Sequence, residues 1–315
     1  MERRVVAGLD DQGRRLDRVL RKLLPELPLS ALYRLLRSGD IRVNGKKAKP
    51  DYAIVAGDEL RLWLTGSEAT RQPGAPRRRD AGAPGRAEAF AALILAQTRD
   101  IVVVNKPRGL LSHGKDGLDT LALAYFAERI DAALAFTPAP LHRLDRNTSG
   151  ALAVSASMQG SREFSLALRE GRIHKLYLAL LDGELERPRE WQDALLRDGD
   201  ALKSVSGGMA DRQAHALFEP LAVVQGRTLA RIRIHTGLTH QIRAQAALHG
   251  YPLSGDIKYG GSRCTGGYIL HSYSLGIPDD VAAESPGTVF APLPADAERR
   301  LRAIFGINAL NRLIE

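Results

Sequence analysis

The nine residues from His142 to Gly150, "HRLDRNTSG", set a carboxylate between two arginines and follow it with a threonine and a serine. In an extended backbone Arg143 and Asp145 share one side while Leu144 points to the other. Flanking guanidinium groups favour an ionised carboxylate, which suits a nucleophile or an electrostatic anchor and suits a general acid poorly. Taken alone, the stretch also fits a structural ion pair in a loop. Several other chemistries find no footing. Ser149 lacks the Gly-x-Ser-x-Gly elbow of a serine hydrolase. The lysine of "NKPRG" has no glycine-rich phosphate loop before it, and "YGGSRCTGG" matches no dinucleotide fingerprint. The eight histidines show no pair at metal-ligand spacing. What remains is carboxylate chemistry that needs neither metal nor cofactor.

The chain that must position this stretch has 315 residues, enough for one large domain and a small one. Its 45 Lys and Arg against 36 Asp and Glu give a net charge of +9, which favours a polyanionic partner: nucleic acid first, an anionic membrane surface second. The start "MERRVVAGLDDQGRRL" has no apolar core of signal-peptide length, and runs such as "AFAALILA" are too short to span a bilayer. A soluble, cytoplasmic protein without membrane association is expected. The single cysteine, Cys264, leaves no internal disulfide and reads as a small, ordinary side chain.

The first 65 residues read as a unit of their own. Leu16, Val19, Leu20, Leu23 and Leu24 recur at helical spacing, and Pro25 and Pro28 end that helix. A second helix has Ser30 as candidate cap, Leu32, Leu35 and Leu36 as its apolar face, and Gly39 for the C-terminal turn. Asn44-Gly45 marks a tight hairpin, and "GDELRLWL" a closing strand. Between Asp11 and Arg61 stand twelve Lys and Arg against seven Asp and Glu. Arg34 and Arg37 share a helix face, and Lys46 and Lys47 follow the hairpin turn, so these four are the candidate RNA contacts. Residues 66–88, rich in Gly, Pro, Ala and Arg and including Arg77, Arg78 and Arg79, read as a flexible linker.

Residues 89–315 alternate strand and helix patterns. "DIVVVNKPRG", "GALAVSAS", "IHKLYLALLDGEL" and "RTLARIRIHTG" read as strands, "LDTLALAYFAERI" and the stretch through Phe164 and Leu168 as helices. In the last of those strands Ala230, Ile232 and Ile234 alternate with Arg231, Arg233 and His235, giving one buried and one cationic face. The pattern argues for an α+β domain on a mixed, largely antiparallel sheet. Thr239 and Arg243 are four apart, and a helix there would put them on one face with Ile242 beside them.

Two resemblances sharpen this reading. "RLDRVL", the paired helices and "GDIRVNGKKAKPDYAIVAGDEL" resemble the S4-type RNA-binding domain, an ααββ unit. "NKPRGLLSH", "HRLDRNTSG", "HKLYLAL" and "TGLTHQIRAQAALHGYPLSGDIKYG", with the later "LHSYSL" and "APLP", resemble the RluA-type pseudouridine synthases in order and spacing, over nearly all of residues 100–295. The combination is similar to the RluC and RluD branch. The resemblance implies the pseudouridine synthase fold and isomerisation of uridine to pseudouridine in RNA, with large-subunit ribosomal RNA as the partner. It implies Asp145 as the catalytic aspartate for breaking the N1–C1′ bond, whether by attack on C1′ or by removing a ribose proton. Tyr177 matches the active-site tyrosine that packs on the base, and Arg243 the basic residue that pairs with the aspartate. Arg143 matches the residue associated with the gap left by a flipped base, and His142, Thr148 and Ile242 the walls that meet the substrate. No obligate protein partner is implied, and a monomer is expected. Two positions depart from the pattern: Leu238 stands where a basic residue is usual, and Gln245 where a histidine is usual. They motivate a second reading, an RNA-binding ribosome-assembly factor whose catalysis has lapsed. A third keeps the enzyme and makes transfer RNA its target.

Overall fold

The computed structural model describes residues 2–64, 85–127, 130, 133–198, 203–206, 213–281 and 284–306. They form two compact units. One joins Met1–Ala92 with His113–Ala139 and Ser155–Arg162; the other comprises Leu93–Ser112, Pro140–Val154 and Glu163–Glu315. Among the described residues no helix is long and apolar enough to cross a membrane.

The first unit opens with β1 (Glu2–Val6), α1 (Leu16–Leu23), α2 (Leu29–Ser38), β2 (Ile41–Val43), β3 (Lys46–Lys47) and β4 (Glu59–Trp63). Leu16, Val19, Leu20 and Leu23 of α1 and Leu32, Leu35 and Leu36 of α2 bury their stripes against Ile41, Leu60 and Leu62, the inward residues of the sheet. Asn44 and Gly45 both have positive φ, 49° and 75°, so the hairpin joins Val43 to Lys46 through a two-residue turn. The start of α2 differs from expectation. Pro28, not Ser30, is its N-cap, and the Pro28 carbonyl accepts the Ala31 and Leu32 amides. Strand β1 is an addition: it pairs antiparallel with β4, making the order β1-β4-β2-β3. Its residues alternate between exposed and half-buried and include Glu2, Arg3 and Arg4, so it left no apolar pattern to find, and such charge is what an edge strand needs.

Later segments complete this unit. The buried Asp11 carboxylate accepts the Leu134 amide at 2.9 Å and the Ala135 amide at 3.0 Å. Helices α3 (Arg86–Ala91) and α4 (Leu118–Tyr125) pack through Phe90, whose ring lies 5.1 Å from Tyr125 and 6.0 Å from Phe126. Arg86–Glu88, read from composition as the end of the linker, are therefore the first turn of a helix with a buried aromatic anchor. The rest of that stretch, with Arg77, Arg78 and Arg79, lies outside the described residues.

The second unit is built on ten strands: β5 (Ile94–Gln97), β6 (Ile101–Lys106), β7 (Ser149–Ser155), β8 (His174–Asp182), β9 (Arg189–Asp198), β10 (Lys203–Ser206), β11 (Gln213–Val224), β12 (Arg227–Ile234), β13 (Leu270–Gly276) and β14 (Thr288–Phe290). Their order is β10-β9-β11-β12-β8-β13-β7-β6-β5, with β14 on β13. Pairing is antiparallel from β10 through β8 to β13, and β13 runs parallel to β7, so the sheet is mixed and largely antiparallel as expected. Helix α5 (Met158–Arg169) contributes Phe164 and Ala167 to a core with Ile101, Val103, Ala151 and Ala153. Helix α6 (Gln241–Leu248) and helix α7 (Ala295–Phe305) follow. Ala297 and Leu301 of α7 cover Leu180 and Leu229. Those two residues are paired in register, and β8 alternates without a bulge along β12, so α7 covers the face opposite to that of Lys175 and Tyr177.

Gly150, the last of the nine residues, is where β7 and β13 meet. Its φ is +112°, and a Cβ there would stand 2.2 Å from the Ser272 carbonyl oxygen, with backbone on both sides of the contact. Gly150→Ala is expected to destabilise the protein by about 3 kcal/mol, read as an earlier midpoint in chemical denaturation. A midpoint equal to that of the parent would show that the two strands can separate there without loss.

Candidate active site

The loop carrying Asp145 has little regular structure of its own, so its shape comes from what holds it. Arg146 and Asn147 form a turn closed by the Thr148 amide on the Asp145 carbonyl at 3.0 Å. The stretch "NKPRGLLSH" supplies the rest. Ser112 Oγ donates to the Leu144 carbonyl at 2.8 Å and accepts the Leu144 amide at 3.1 Å. The Gly109 amide donates to the Arg146 carbonyl at 2.8 Å, and Arg146 Nε returns a bond to the Gly109 carbonyl. Lys106, wholly buried, donates from Nζ to the carbonyls of Pro107, Leu110 and Arg146. Burial pushes this ammonium down to about 8, and the negative charge of Asp145 works against that fall. The lysine of "NKPRG", which has no phosphate loop before it, is thus an internal clamp on the Asp145 loop.

Asp145 opens onto a cavity of about 450 Å³ lined by "HRLDRNTSG", "HKLYLAL" and "TGLTHQIR", three of the stretches that the sequence singled out: Arg143, Thr148, Lys175, Tyr177, Ile242 and Arg243 are on its walls, with the segment 234–241 closing one side. Asp145 is the one acid among the lining residues, against Arg143, Arg169, Lys175 and Arg243. Arg143 is exposed and Leu144 buried, the alternation expected of an extended "RLD". Tyr177 is 5% exposed, and burial raises its phenol above the ordinary value, with the Asp145 charge adding to that effect. It is therefore a neutral phenol throughout the physiological range. His142 lines the cavity but spends its ring on the fold: Nε2 accepts the Ala153 amide at 3.1 Å, and the ring stacks on Phe164 at 6.0 Å. Burial first, and then the Lys175 charge, push it down to about 3, which keeps Nε2 free to accept. Thr148 and Ile242 are buried walls.

Arg243 is 7% exposed, and its guanidinium is committed to a residue the sequence reading did not single out. Nε and Nη2 donate to Asp256 at 2.6 and 2.8 Å, a bidentate pair. Nη1 is left to reach Asp145 at 3.5 Å. The guanidinium carbon sits 4.9 Å from the Tyr259 ring centre and 4.7 Å from that of Tyr268, so two aromatic faces enclose the cation. Burial pushes the Tyr268 phenol up to about 12, the Arg243 charge opposing it. His240 completes the group, with Nε2 3.8 Å from the Asp145 carboxylate and Nδ1 3.0 Å from the Tyr259 hydroxyl. Burial lowers its ring below the usual histidine value, Asp145 pulling the other way.

Helix α6 begins at Gln241, so Thr239 is not on it and shares no helical face with Arg243. The break is His240, at φ 57°, which ends the loop in the left-handed region. The two departures from the family pattern are both built into this corner. Gln245, wholly buried, donates to the Trp191 and Ala214 carbonyls and to Asp193 at 2.8 Å, and accepts from Gln241. Gln241 in turn accepts the Leu238 amide and the Thr236 hydroxyl, fixing the loop over the cavity. Leu238 packs on a small cluster of Leu195, Ala214, Ala244 and Tyr259.

The four candidate RNA contacts, Arg34, Arg37, Lys46 and Lys47, are exposed on the first unit, with Lys47 Nζ reaching the Arg37 carbonyl. Sheet pairing also brings together what sequence spacing kept apart. Glu190, His215 and His235, from β9, β11 and just past β12, place ligand-type atoms within 4.8 Å of one another, the one such group among the described residues. His215 is hydrogen-bonded to Glu190 at 2.5 Å and stacked on His235 at 4.3 Å, so the trio is satisfied as it stands. Lys106, His240, Asp256, Tyr259 and Tyr268 carry no signal in isolation. For Lys106, His240, Asp256 and Tyr259 the signal is membership of the same stretches, for Asp256 also as an acid beside glycines in "SGDIKYG"; Tyr268 lies outside those stretches, two residues before "LHSYSL".

Comparison with known proteins agrees with this arrangement. Residues 100–248 match the family model of RNA pseudouridylate synthases and residues 14–60 that of the S4 domain. The "Ribosomal large subunit pseudouridine synthase C" of Salmonella typhimurium is 34% identical over 81% of this chain and 79% of its own length, as is that of Escherichia coli K12. The protein of the same name from Vibrio vulnificus is 28% identical over 94% of both chains. Among solved structures, human RNA pseudouridylate synthase domain containing 4 shares the fold, with a TM-score of 0.57 at 20% identity over 69% of this chain and 94% of its own. A single acid facing a clamped arginine across a cationic cavity, built on a mixed sheet, is here the site of a chain that belongs to the RNA pseudouridylate synthase family.

Proposed function

We propose that this enzyme converts uridine to pseudouridine in large-subunit ribosomal RNA in the cytoplasm, with residues 1–65 holding RNA and residues 89–315 carrying out the chemistry. The observation that carries the catalytic assignment is that Asp145 is the one acid lining a cavity otherwise walled by cations and by neutral polar and apolar groups. The ribosomal target rests on the names of the relatives and on the basic S4 domain. The features that motivated a lapsed enzyme do not favour it: Gln245 and Leu238 each have a packing role of their own, and Asp145, Tyr177 and Arg243 converge.

A duplex hides C1′ and C5 of a uridine, so the target nucleotide must leave its stack, at a cost of a few kcal/mol. Tyr177 receives the base as a neutral aromatic surface, a contact of the kind worth about 1–3 kcal/mol, and the exposed Arg143 is placed to fill the gap behind it. The Asp145 carboxylate attacks C1′ as the N1–C1′ bond breaks, and the electron pair leaves on the uracil. Arg243 Nη1 holds the attacking carboxylate in place. The ring turns within the cavity, C5 bonds to C1′, and the Asp145 oxygen departs. Freed, Asp145 is the lining carboxylate able to take the C5 proton, while N1 is protonated. Burial keeps Tyr177 protonated, so its part is to support the ring and not to act as a phenolate base.

Three outcomes follow from this assignment. Asp145→Asn should cut tritium release from [5-³H]uridine-labelled ribosomal RNA by about 10⁴-fold or more while RNA affinity is unchanged; turnover retained within tenfold would remove Asp145 from the chemistry. Asp256→Asn strips the buried guanidinium of its charged partner and should cost about 3 kcal/mol of stability together with a fall in kcat. Thermal melting and single-turnover kinetics on the same preparation check both effects, and a variant with parental kcat would mean that Arg243 keeps its aim without Asp256. Arg34→Glu with Arg37→Glu should weaken RNA binding and flatten its dependence on salt concentration. An unchanged slope would place the RNA path on another face of the S4 domain.

A further inference from the structure

Lys175 lies on the wall of the Asp145 cavity and is not explained by anything above. It is 6% exposed, and among the described residues its ammonium makes no hydrogen bond or ion pair. Its neighbours across the strands are Ile234 and Leu275, and the His142 ring, which feels the Lys175 charge, is held neutral by burial. A cation at so buried a strand position, with only the cavity to open on, is less favourable there than an apolar side chain would be. Burial accordingly lowers the Lys175 ammonium below the ordinary lysine value. Lys106 shows the contrast: wholly buried, it has three carbonyls to donate to. The acceptor that Lys175 lacks is therefore one the cavity receives from outside. Gly237 packs close by, and a Cβ built on it would come within van der Waals contact of Nζ, at 3.7 Å.

Position identifies the acceptor. Lys175 and Tyr177 are two residues apart on β8 and so project from the same face, about 6.7 Å apart along the strand. Asp145 lines the same cavity. A nucleotide whose base rests on Tyr177 and whose C1′ faces Asp145 carries its phosphate one sugar further on in this cavity, and Lys175 is the buried lining cation not already committed to an ion pair. We propose that Lys175 forms a phosphate subsite in this cavity, holding the phosphate of the nucleotide whose base lies on Tyr177. The proposal rests on the reading of the cavity as the target-nucleotide site. Lys175 is a positioning residue in it, setting how far the nucleotide enters and so where C1′ stops relative to Asp145.

The test titrates uridine, uridine 5′-monophosphate and uridine 3′-monophosphate into the full-length protein and into Lys175→Met and Lys175→Arg, followed by ligand-observed NMR. One of the two monophosphates is expected to bind about tenfold more tightly than uridine. Lys175→Met should reduce that preference to less than about twofold, leaving uridine itself bound as before, and Lys175→Arg should keep part of it. Lys175→Met should also melt at the same or a higher temperature, because it removes an unpaired buried charge. A structural lysine would give the opposite: a lower melting temperature and equal losses for uridine and its phosphates. Phosphate preference undiminished in Lys175→Met would assign the phosphate to the exposed Arg143 or Arg169 and overturn the proposal, as would a parent protein that does not distinguish uridine from either monophosphate. None of these measurements uses turnover, so their failure is separate from failure of the Asp145 assignment.

Discussion

A guanidinium buried to 7% exposure has to meet a carboxylate, and the placing of that carboxylate organises this site. Asp256, 2% exposed, takes two of the three nitrogens of Arg243, and the rings of Tyr259 and Tyr268 close over the guanidinium. The fork is rigid, so fixing Nε and Nη2 also fixes the direction of Nη1, which points at Asp145. Removing either partner of such a pair leaves an uncompensated charge in the interior, a loss of about 3–5 kcal/mol. Helix α6, the segment around Asp256 and Tyr268, and the Asp145 loop must therefore be in place together. The ion pair is less a source of net stability than a device that makes the three segments agree on one geometry.

The same logic runs through the loop itself. A carboxylate held at a defined point in a cavity needs a fixed position, yet a loop has no ladder of hydrogen bonds to fix it. Here the missing ladder is supplied by another stretch: Ser112 pairs with both polar groups of Leu144, Gly109 exchanges bonds with Arg146, and Lys106 gathers three carbonyls. "NKPRGLLSH" and "HRLDRNTSG" are thus two halves of one object, and Gly150 gives the second half its close seat against β13.

How much of this the sequence shows depends on the range of the interaction. Local signals were sound: the leucine spacing of α1 and α2, the Asn44-Gly45 turn, the alternation in β12. The fold class and the convergence of Asp145, Tyr177 and Arg243 followed from ordered motifs and not from any one of them. What was missed is what only pairing in space creates. Strand β1 carries charge in place of an apolar alternation, and β13 was visible as "LHSYSL" without its neighbours. Arg243 was matched to Asp145, whereas its stronger partner is Asp256, thirteen residues along the chain and meaningful only once the segment folds back. Thr239 looked like a helical neighbour of Arg243 because periodicity takes no account of a residue such as His240 that breaks the helix start.

The departures at Leu238 and Gln245 can now be weighed by energetics. A cation at position 238 would have given a screened surface contact to RNA; a leucine there instead adds to the packing that holds the loop between β12 and α6. Gln245 binds two carbonyls and a carboxylate from neighbouring strands, and a neutral amide does so without placing another positive charge near Arg243 and His240. Positive potential at the cavity is already supplied by Arg143, Arg169, Lys175 and Arg243, so one cation fewer on the loop removes a contact and not the field. The electrostatic attraction for RNA is carried by many exposed charges spread over both units, each individually weak and replaceable. The geometry at Asp145 is carried by a few buried groups, each with a defined partner. Leu238 falls on the first kind of residue; Gln245 falls on the second, but brings defined partners of its own and leaves Asp145, Tyr177 and Arg243 unchanged.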